Sequence, residues 1–384
     1  MRLLIFLAFV LVLFLPVNWV TYRTLVRVHP RRKRLVLALL VAGNLMWPLL
    51  PFLRVSSPAM RFLRATLGPV WFSWTFFALL YTIVTIVLLL AWLPFRRRRT
   101  FAEFARWPSS VFLWTILIGS VIGFYQALVP LRVERVPIEV AGLPPSLQGA
   151  RILLMGDLHV GLFTRPSRLE KIFTTASALR PDVVALAGDL IDDDPAFVAK
   201  LLDGTRALTP STPLLAVLGN HEMYGNPRAV IDQLRGSRIR LLVNEGYAYR
   251  DLWIAGLSDF AGSGALRPDF DKALAGKPAT SVALALAHQP RVIDEAVRRR
   301  TPIALCAHTH GGQMGFRPLG WSLAGVFVRY HMGLYRVGPT QLYINTGTGY
   351  WLVPVRLGMT PEITLIELRA AAGPAPAPAG QSRG

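Results

Sequence analysis

Residues 151–160 read RILLMGDLHV, a short apolar run that ends in a polar Asp-Leu-His triplet. The same arrangement returns in VVALAGDLIDD at residues 183–193 and in LLAVLGNHE at residues 214–222. Short apolar runs of this kind are typical of buried strands, and the segments between them have the apolar spacing of helices. Strands that alternate with helices predict an α/β fold with a parallel sheet.

The polar residues after these three runs are spaced at nearly constant intervals. Asp189 follows Asp157 by 32 residues, and Asn220 follows Asp189 by 31. Each interval is about the length of one strand–helix–strand unit, and parallel strands joined in this way end at the same edge of a sheet. The spacing therefore predicts that Asp157, Asp189 and Asn220 lie on a common rim.

The same alternation extends through most of the remaining chain. We predict buried strands at Ile152–Met155, Val183–Ala187, Leu214–Leu218, Val282–Ala287 and Ile303–Ala307. We predict helices at Ser167–Leu179, Pro195–Leu208, Pro227–Arg235 and Arg291–Arg299, and further strands at Arg238–Val243, Tyr247–Arg250, Leu252–Gly256 and Leu342–Asn345. The α/β domain is expected at residues 151–369, after a connector at residues 131–150 with a strand candidate at Val133–Val140. A disordered Ala/Pro/Gly-rich tail is expected at residues 370–384.

Histidines complete the rim. His288 follows a fourth predicted strand, and His308 and His310 follow a fifth. In an extended segment, alternation would place both side chains of Asp-Leu-His, and both of His-Thr-His, on one side. Imidazole, carboxylate and amide donors at one sheet edge are typical of a metal centre. The single cysteine, Cys306, excludes an internal disulfide and a thiolate-based zinc cluster, and its apolar neighbours indicate a small core residue.

Together these motifs resemble the calcineurin-like metallophosphoesterases, a family of enzymes with two metal ions. The family pattern is D-x-H, G-D-x-x-D, G-N-H-[DE], a lone His and G-H-x-H, and the resemblance covers roughly Val136–Leu368. In one departure, Ala307 stands where the family has Gly. Gly311-Gly312-Gln313, and Gly347-Thr348-Gly349 near Pro354-Val355-Arg356, are similar to a subgroup found on bacterial membranes. The resemblance implies a two-sheet αββα sandwich of the metallophosphoesterase type.

The resemblance also implies roles for individual residues. A first metal ion would be bound by Asp157, His159, Asp189 and His310, and a second by Asp189, Asn220, His288 and His308, with Asp189 as the bridge. The ions would be Mn²⁺, Fe or Zn²⁺, because the donors are nitrogen and oxygen without thiolate. His221 would be the catalytic proton donor, and Asp192 and Glu222 would orient either His221 or the ligands. His331 has no motif around it and is expected to be an ordinary core or surface histidine.

Each of these residues also has an ordinary structural interpretation when taken alone. A single buried histidine is more often hydrogen-bonded than metal-bound, a carboxylate can simply follow a strand, and Asn220 alone would indicate a turn. Five ordered motifs at this spacing favour the metal centre over these separate interpretations.

Four long apolar stretches precede the α/β region. They are Leu3–Val20, Leu35–Leu53, Val70–Phe95 and Ser110–Val129. A helix of about 17–25 apolar residues can cross a bilayer, and the central portions of these stretches carry no charge. Tryptophans lie near their ends, as in the aromatic belts of membrane proteins. We therefore expect four transmembrane helices within residues 1–130, the first of them an uncleaved anchor.

Charge in this region predicts both a partner and an orientation. Residues 1–130 hold 15 Lys and Arg against one acidic residue, whereas the remainder holds 27 against 21. Because the excess lies between apolar stretches, we expect a lipid bilayer as partner and no specific nucleic acid. Eleven of the 15 lie in the first and third loops, residues 23–34 and 96–106. By the positive-inside rule, this predicts a multi-pass protein of the cell inner membrane with an extracytoplasmic catalytic domain.

The leading functional hypothesis is a membrane-anchored, dinuclear metal-dependent phosphoesterase. By resemblance it would hydrolyse a phosphodiester, phosphomonoester or pyrophosphate bond, by attack of a metal-bridging hydroxide. The substrate would be a phosphorylated small molecule, a lipid or a lipid-linked phosphate. The alternative is a non-catalytic metal-binding membrane scaffold or transporter-like protein. The absence of charged residues within the apolar stretches and the completeness of the ligand motifs disfavour that alternative.

Overall fold

The computed structural model describes residues 2–45 and 58–371, and it divides the chain into two compact units, Met1–Val121 and Ile122–Gly384. The N-terminal helices are α1 (Arg2–Val28), α2 (Lys33–Leu45), α3 (Pro58–Trp92) and α4 (Phe101–Leu128). Two segments are long and apolar enough to cross a membrane, Ala65–Phe95 and Phe101–Leu128. They contain the third predicted membrane segment and nearly all of the fourth.

The other two predicted membrane segments overlap the first two helices. Leu3–Val20 lies within α1, and Leu35–Leu53 begins in α2 and continues into residues 46–53, which lie outside the described residues. Within the N-terminal unit, the side-chain amides of Asn18 and Asn44 pair reciprocally at 3.0 Å. The Trp74 indole N–H also donates to Asn18 Oδ1, at 2.8 Å. These polar side chains satisfy one another between apolar helices, as buried polar groups must.

The second unit contains two six-stranded sheets and a short hairpin. Strands of the first sheet are β1 (Arg132–Val140), β2 (Arg151–Met155), β3 (Val183–Ala187), β4 (Leu214–Val217), β5 (Ile239–Leu241) and β14 (Glu362–Ala370). Strands of the second sheet are β6 (Glu245–Tyr249), β7 (Leu252–Gly256), β8 (Val282–Leu286), β9 (Ile303–Cys306), β12 (Gly333–Val337) and β13 (Thr340–Ile344). The hairpin strands are β10 (Gly315–Phe316) and β11 (Trp321–Ser322). The helices are α5 (Pro166–Ala178), α6 (Val198–Thr205), α7 (Asn220–Tyr224), α8 (Pro227–Leu234), α9 (Phe270–Leu274) and α10 (Ile293–Arg298).

Strand order explains why the predicted rim forms. The first sheet runs β1-β14-β2-β3-β4-β5, and the second runs β12-β13-β9-β8-β7-β6. Strands β2 to β5 are mutually parallel, and so are β7, β8, β9 and β13. All five residues of β3 are buried, as expected for a parallel strand covered on both faces.

The core has three layers of apolar contact. Between the sheets, Ile152 and Leu154 of β2 share a buried cluster with Leu284 and Leu305 of the second sheet. The alternate residues of β2 face α5, α6 and α8, and the far side of the second sheet packs on α9 and α10. Cys306 is buried in this last layer, as predicted. The architecture is therefore the predicted two-sheet αββα sandwich.

Some elements differ from their predicted bounds. The predicted helix Pro195–Leu208 begins as a 3₁₀ turn at Pro195–Phe197 and becomes α6. Within the predicted connector, residues 131–150, β1 pairs in parallel with β14 along its whole length, so this segment belongs to the sheet. Strand β14 was not predicted and ends at Ala370, where the disordered tail was expected to begin. Residues 372–384 of that tail lie outside the described residues.

Candidate metal centre

The seven predicted ligands come together where five strands end. Asp157, Asp189 and Asn220 follow β2, β3 and β4 of the first sheet. His288 follows β8 of the second sheet, and His308 and His310 follow β9. Their side chains, with that of His159, form two contiguous groups.

The first group contains Asp157, His159 and His310. One candidate ligand atom from each lies within 4.8 Å of the other two. His159 Nε2 is 3.1 Å from His310 Nε2, which is 3.7 Å from Asp157 Oδ2. All three residues are buried, so these donors face one another and not bulk water.

The second group contains Asp189, His288 and His308, with the same mutual limit of 4.8 Å. Around His288 Nε2 lie His308 Nδ1 at 3.0 Å, Asn220 Oδ1 at 3.0 Å and Asp189 Oδ2 at 3.3 Å. On the other side of that ring, His288 Nδ1 is 2.8 Å from the carbonyl oxygen of Ala187, which fixes the ring orientation.

Asp189 joins the two groups. Its Oδ2 atom lies 3.6 Å from His159 Nε2 and 3.3 Å from His288 Nε2. Its Oδ1 atom accepts the backbone N–H of His221 at 2.9 Å, so the carboxylate is held from behind. A Cβ atom at Gly219 would collide with this carboxylate, which explains the need for glycine in the loop after β4.

The donor set fits divalent cations on two observations. Asp157 Oδ2 is buried and has no hydrogen-bond partner among the described residues. Its neighbours are the other candidate metal-binding atoms of the first group. Buried oxygens of this kind are rare unless an ion or water satisfies them. The two groups also share one carboxylate, and a carboxylate can span two cations whereas an imidazole cannot. These residues could therefore hold two metal ions.

Burial and close contact between charged groups shift the pKa values of the candidate ligands. Burial raises the pKa of Asp157 to about 6. Burial acts in the same direction on Asp189, but the charge and hydrogen bond of His288 hold the Asp189 pKa well below its ordinary value. For His288, burial is outweighed by the charge of Asp189, and the pKa rises to about 10. Perturbed values of this size concentrate at functional sites.

The backbone is left-handed at five of the seven candidate ligands. The φ angles are 52° at Asp157, 43° at His159, 48° at Asp189, 75° at His308 and 50° at His310. Non-glycine residues seldom adopt this region, and such strained positions cluster at functional sites. The ligands therefore do not lie in extended segments, as the alternation argument assumed. At these five residues, sharp turns after the strands direct the side chains into the site instead.

Two acidic residues support the ligands in different ways. Asp192 Oδ1 lies 3.2 Å from His159 Nδ1, a position from which it could orient the ring of that candidate ligand. Glu222 is buried and accepts four backbone N–H groups, from Gly219 at 2.7 Å, Asp189 at 3.1 Å, Leu190 at 2.8 Å and Ile191 at 3.1 Å. Glu222 thus fastens the loop that carries Asp189 to the loop that carries Asn220.

Replacing Glu222 by Ala should destabilise the domain strongly. Four buried N–H groups would lose their acceptor, and each unsatisfied group costs about 1–3 kcal/mol, so we expect a loss of about 3 kcal/mol or more. Chemical denaturation of the purified chain measures this change. Glu245→Ala is the matched control, because that side chain is 51% exposed and should change stability by about 0.5 kcal/mol or less. Equal stabilities of the two variants would contradict the role of Glu222.

His221 lies at the edge of the first group. Its ring centroid is 4.6 Å from that of His159, at an interplanar angle of 87°. One of its nitrogens also lies within the 4.8 Å limit of His159 and Asp189, so proximity alone would allow His221 to be a ligand. Burial and the charge of His159 lower the pKa of His221.

Arg356 is a contact that the motifs did not assign to the site. Its side chain is fully buried, and its guanidinium lies 3.0 Å from His310 Nδ1. The same guanidinium donates to the carbonyl oxygens of Thr346 at 2.8 Å and Met359 at 3.0 Å. The sequence singled out Pro354-Val355-Arg356 only as a subgroup feature, because nothing local to that motif points to His310.

Replacing Arg356 by Met should weaken metal binding, because the His310 ring would lose the group that fixes its orientation. Loss of such supporting contacts typically costs about 10–100-fold in metal affinity. Competition with a metal-sensitive dye measures the affinity. Arg336→Met, at an exposed arginine, is the control. An unchanged affinity in a folded Arg356→Met protein would show that the contact does not orient His310.

Comparison with known proteins agrees with this geometry. Residues 150–312 match the model of the calcineurin-like phosphoesterase family. The chain is 34% identical over 270 residues to a transmembrane protein with metallophosphoesterase domain from Danio rerio, covering 66% of this chain and 60% of that protein. Identity to the protein of the same description from Bos taurus is 31% over 283 residues, with 68% and 62% covered. An uncharacterized metallophosphoesterase of Campylobacter jejuni is 29% identical over 267 residues, with 67% and 70% covered.

These matches span only part of the vertebrate relatives, 60% and 62% of their length. They include vertebrate as well as bacterial proteins, so they do not single out the bacterial membrane-associated subgroup.

Proposed function

Because the chain carries a calcineurin-like phosphoesterase domain, we propose that it is a membrane-anchored hydrolase that uses two divalent metal ions to cleave phosphoester or pyrophosphate bonds. The observation that carries the proposal is the position of Asp189 Oδ2, within 3.6 Å of His159 Nε2 and 3.3 Å of His288 Nε2. One carboxylate thus serves two clusters of nitrogen and oxygen donors. Such a pair of sites is the arrangement used in two-metal phosphoryl transfer.

The candidate ligands divide between the two sites as the groups do. Asp157, His159 and His310 would hold the first ion, His288, His308 and Asn220 the second, and Asp189 both. When bound, the two cations lower the pKa of water and neutralise charge on the phosphoryl oxygens.

The protein's own residues would position the ligands and move a proton. Asp192 holds the His159 ring through Nδ1, and Glu222 holds the Asp189 loop. His221 would deliver a proton to the leaving oxygen, since it borders the first group and its lowered pKa makes it a ready proton donor when charged.

The substrate class follows from the proposed anchoring. Two apolar helices and the description of the vertebrate relatives as transmembrane proteins support a protein held at a bilayer. A tethered enzyme meets a lipid or lipid-linked phosphate in the same two dimensions, so such substrates are favoured over soluble nucleotides.

A phosphate-release screen of the purified chain with added Mn²⁺ tests both reaction and substrate. The panel contains bis-p-nitrophenyl phosphate, phospholipids, nucleotide-linked acyl sugars and nucleotides. We expect hydrolysis of the synthetic diester and faster turnover of a lipid-linked substrate than of free nucleotides. A chain that binds two ions and hydrolyses none of these would instead be the non-catalytic metal-binding scaffold.

Orientation is proposed from the uneven charge of the loops. Eleven of the 15 basic residues of the N-terminal region lie in two loops, which would be cytoplasmic, leaving the catalytic domain of an inner-membrane, multi-pass protein outside the cytoplasm. An alkaline phosphatase fused after Gly384 should then be active. If the phosphatase fusion is inactive and green fluorescent protein fused at the same position is fluorescent, the domain lies in the cytoplasm.

A further inference from the structure

A segment after the last candidate ligands carries an unusual surface. We call residues 314–331 the apolar segment; it contains the hairpin strands β10 and β11. Backbone hydrogen bonds give it a defined conformation, including Leu323 N–H to the Met314 carbonyl at 2.7 Å and Phe327 N–H to the Ala324 carbonyl at 2.9 Å. The segment is therefore an ordered structure and presents a fixed set of side chains.

Those side chains are large, apolar and exposed. Their exposed fractions are 53% for Phe316, 79% for Leu319, 52% for Trp321, 64% for Val326, 80% for Phe327 and 45% for Val328. Single exposed apolar residues are normal, but a concentration of them within one short segment is not typical of a surface that faces only water.

The charged residues that flank the segment in sequence have one sign. From Ala296 to Pro361 the chain contains no Asp or Glu and seven arginines. Within the segment, the Arg317 guanidinium is paired with Glu362, whereas Arg329 is exposed beside Tyr330, 5.2 Å from the centroid of its ring. Aromatic and aliphatic side chains next to an exposed arginine are the composition of interfacial membrane anchors.

Both ends of the segment are tied to the candidate metal centre. Thr309, between His308 and His310, donates its hydroxyl to the His331 carbonyl at 2.7 Å. At the other end, the segment begins at Met314, four residues after His310. The intervening turn is closed by the Gly312 N–H, which donates to the Thr309 carbonyl at 2.7 Å. A surface bound by the segment would thus be held close to the metal centre.

We propose that the apolar segment docks onto an anionic lipid bilayer, with Phe316, Leu319, Trp321 and Phe327 entering the headgroup boundary and Arg329 meeting lipid phosphates. The chain's own apolar helices make a bilayer the available partner. A second copy of the chain fits less well, because the segment contains no acidic residue and a two-fold contact would place the exposed Arg329 of one copy against the same acid-free segment of the other. This inference rests on the proposed membrane anchoring and not on the proposed hydrolysis.

Site-specific labelling of the full chain tests the docking. Cys306 is the only cysteine, it is buried, and burial raises the pKa of its thiol, so an introduced cysteine should be labelled selectively. Phe327→Cys would carry the environment-sensitive fluorophore NBD, in nanodiscs of phosphatidylcholine and phosphatidylglycerol. Arg206→Cys is the matched control, since that side chain directly follows α6, is 82% exposed and lies outside the apolar segment.

For NBD at position 327, we expect a blue-shifted emission in the nanodiscs and quenching of that emission when the discs contain doxyl-labelled lipid. For NBD at position 206, we expect neither effect. Both effects should weaken in discs of phosphatidylcholine alone. Emission at 327 that matches the control would overturn the proposal, and so would equal quenching in the two kinds of disc. Cross-linking of Phe327→Cys between two copies, without lipid quenching, would assign the surface to self-association. Turnover of bis-p-nitrophenyl phosphate by the same samples reports separately on the proposed hydrolysis.

Discussion

Asp189→Asn should abolish hydrolysis of bis-p-nitrophenyl phosphate and the pairing of metal ions. The variant keeps the size of the side chain but removes the negative charge that lies between the two donor groups, 3.6 Å from His159 Nε2 and 3.3 Å from His288 Nε2. Without that charge, two adjacent cations would lose the carboxylate that lies between them, and their mutual repulsion would be less well offset. Turnover and metal content per chain, measured on the same preparation, report the two losses.

Asp203→Asn is the matched control for this experiment. Its carboxylate on α6 is 67% exposed and forms an exposed ion pair with Arg206, so both turnover and metal content should stay at wild-type values. Wild-type turnover by a folded Asp189→Asn protein would refute the assignment of Asp189 as the bridge.

His221→Ala should retain both ions and still slow the reaction. A positioned proton donor contributes about 10²–10⁴-fold, and the loss should be largest for substrates with poor leaving groups, which need the proton most. Aryl phosphodiesters with leaving groups of graded pKa measure this dependence, and elemental analysis measures the metal.

The ligand role is the competing explanation for His221, because its ring lies within reach of His159 and Asp189. Loss of a metal ion in His221→Ala would establish that role and contradict the proton donor. His331→Ala serves as the control histidine: its Nδ1 lies 2.9 Å from Ser322 Oγ, in the apolar segment, and its loss should leave the leaving-group dependence unchanged.

The central strands were predictable because parallel strands buried on both faces are continuous apolar runs. Strands β2, β3, β4, β8 and β9 lie within one residue of their predicted bounds. The polar residue after each of these runs marks the edge where the strands end. Strand identity and candidate ligands could therefore be derived from one local pattern.

Strand β14 could not be predicted in the same way, because its burial depends on partners remote in sequence. Glu362 at its start is fully buried and accepts hydrogen bonds from the hydroxyls of Tyr343, at 2.8 Å, and Thr346, at 2.9 Å. A glutamate that opens a segment normally indicates an exposed position. Only the fold supplies the donors that satisfy it, and only the fold brings β14 between β1 and β2.

Contacts of the site were less predictable than its members. The motifs contain the seven candidate ligands, but the Asp192–His159 and Arg356–His310 contacts join residues 33 and 46 positions apart. The left-handed backbone at five of the ligands was also not foreseen, since no glycine stands at those positions to indicate it. The direction in which a loop side chain points depends on such turns, and the spacing of apolar and polar residues does not predict them.

Metal content of the purified full chain, measured by inductively coupled plasma mass spectrometry after loading with Mn²⁺ and removal of excess ion, is the most direct test of a paired cation site. Two ions per wild-type chain, falling in Asp189→Asn, is the predicted result. A folded wild-type chain that takes up only one ion, or an Asp189→Asn chain that still holds two, would contradict it.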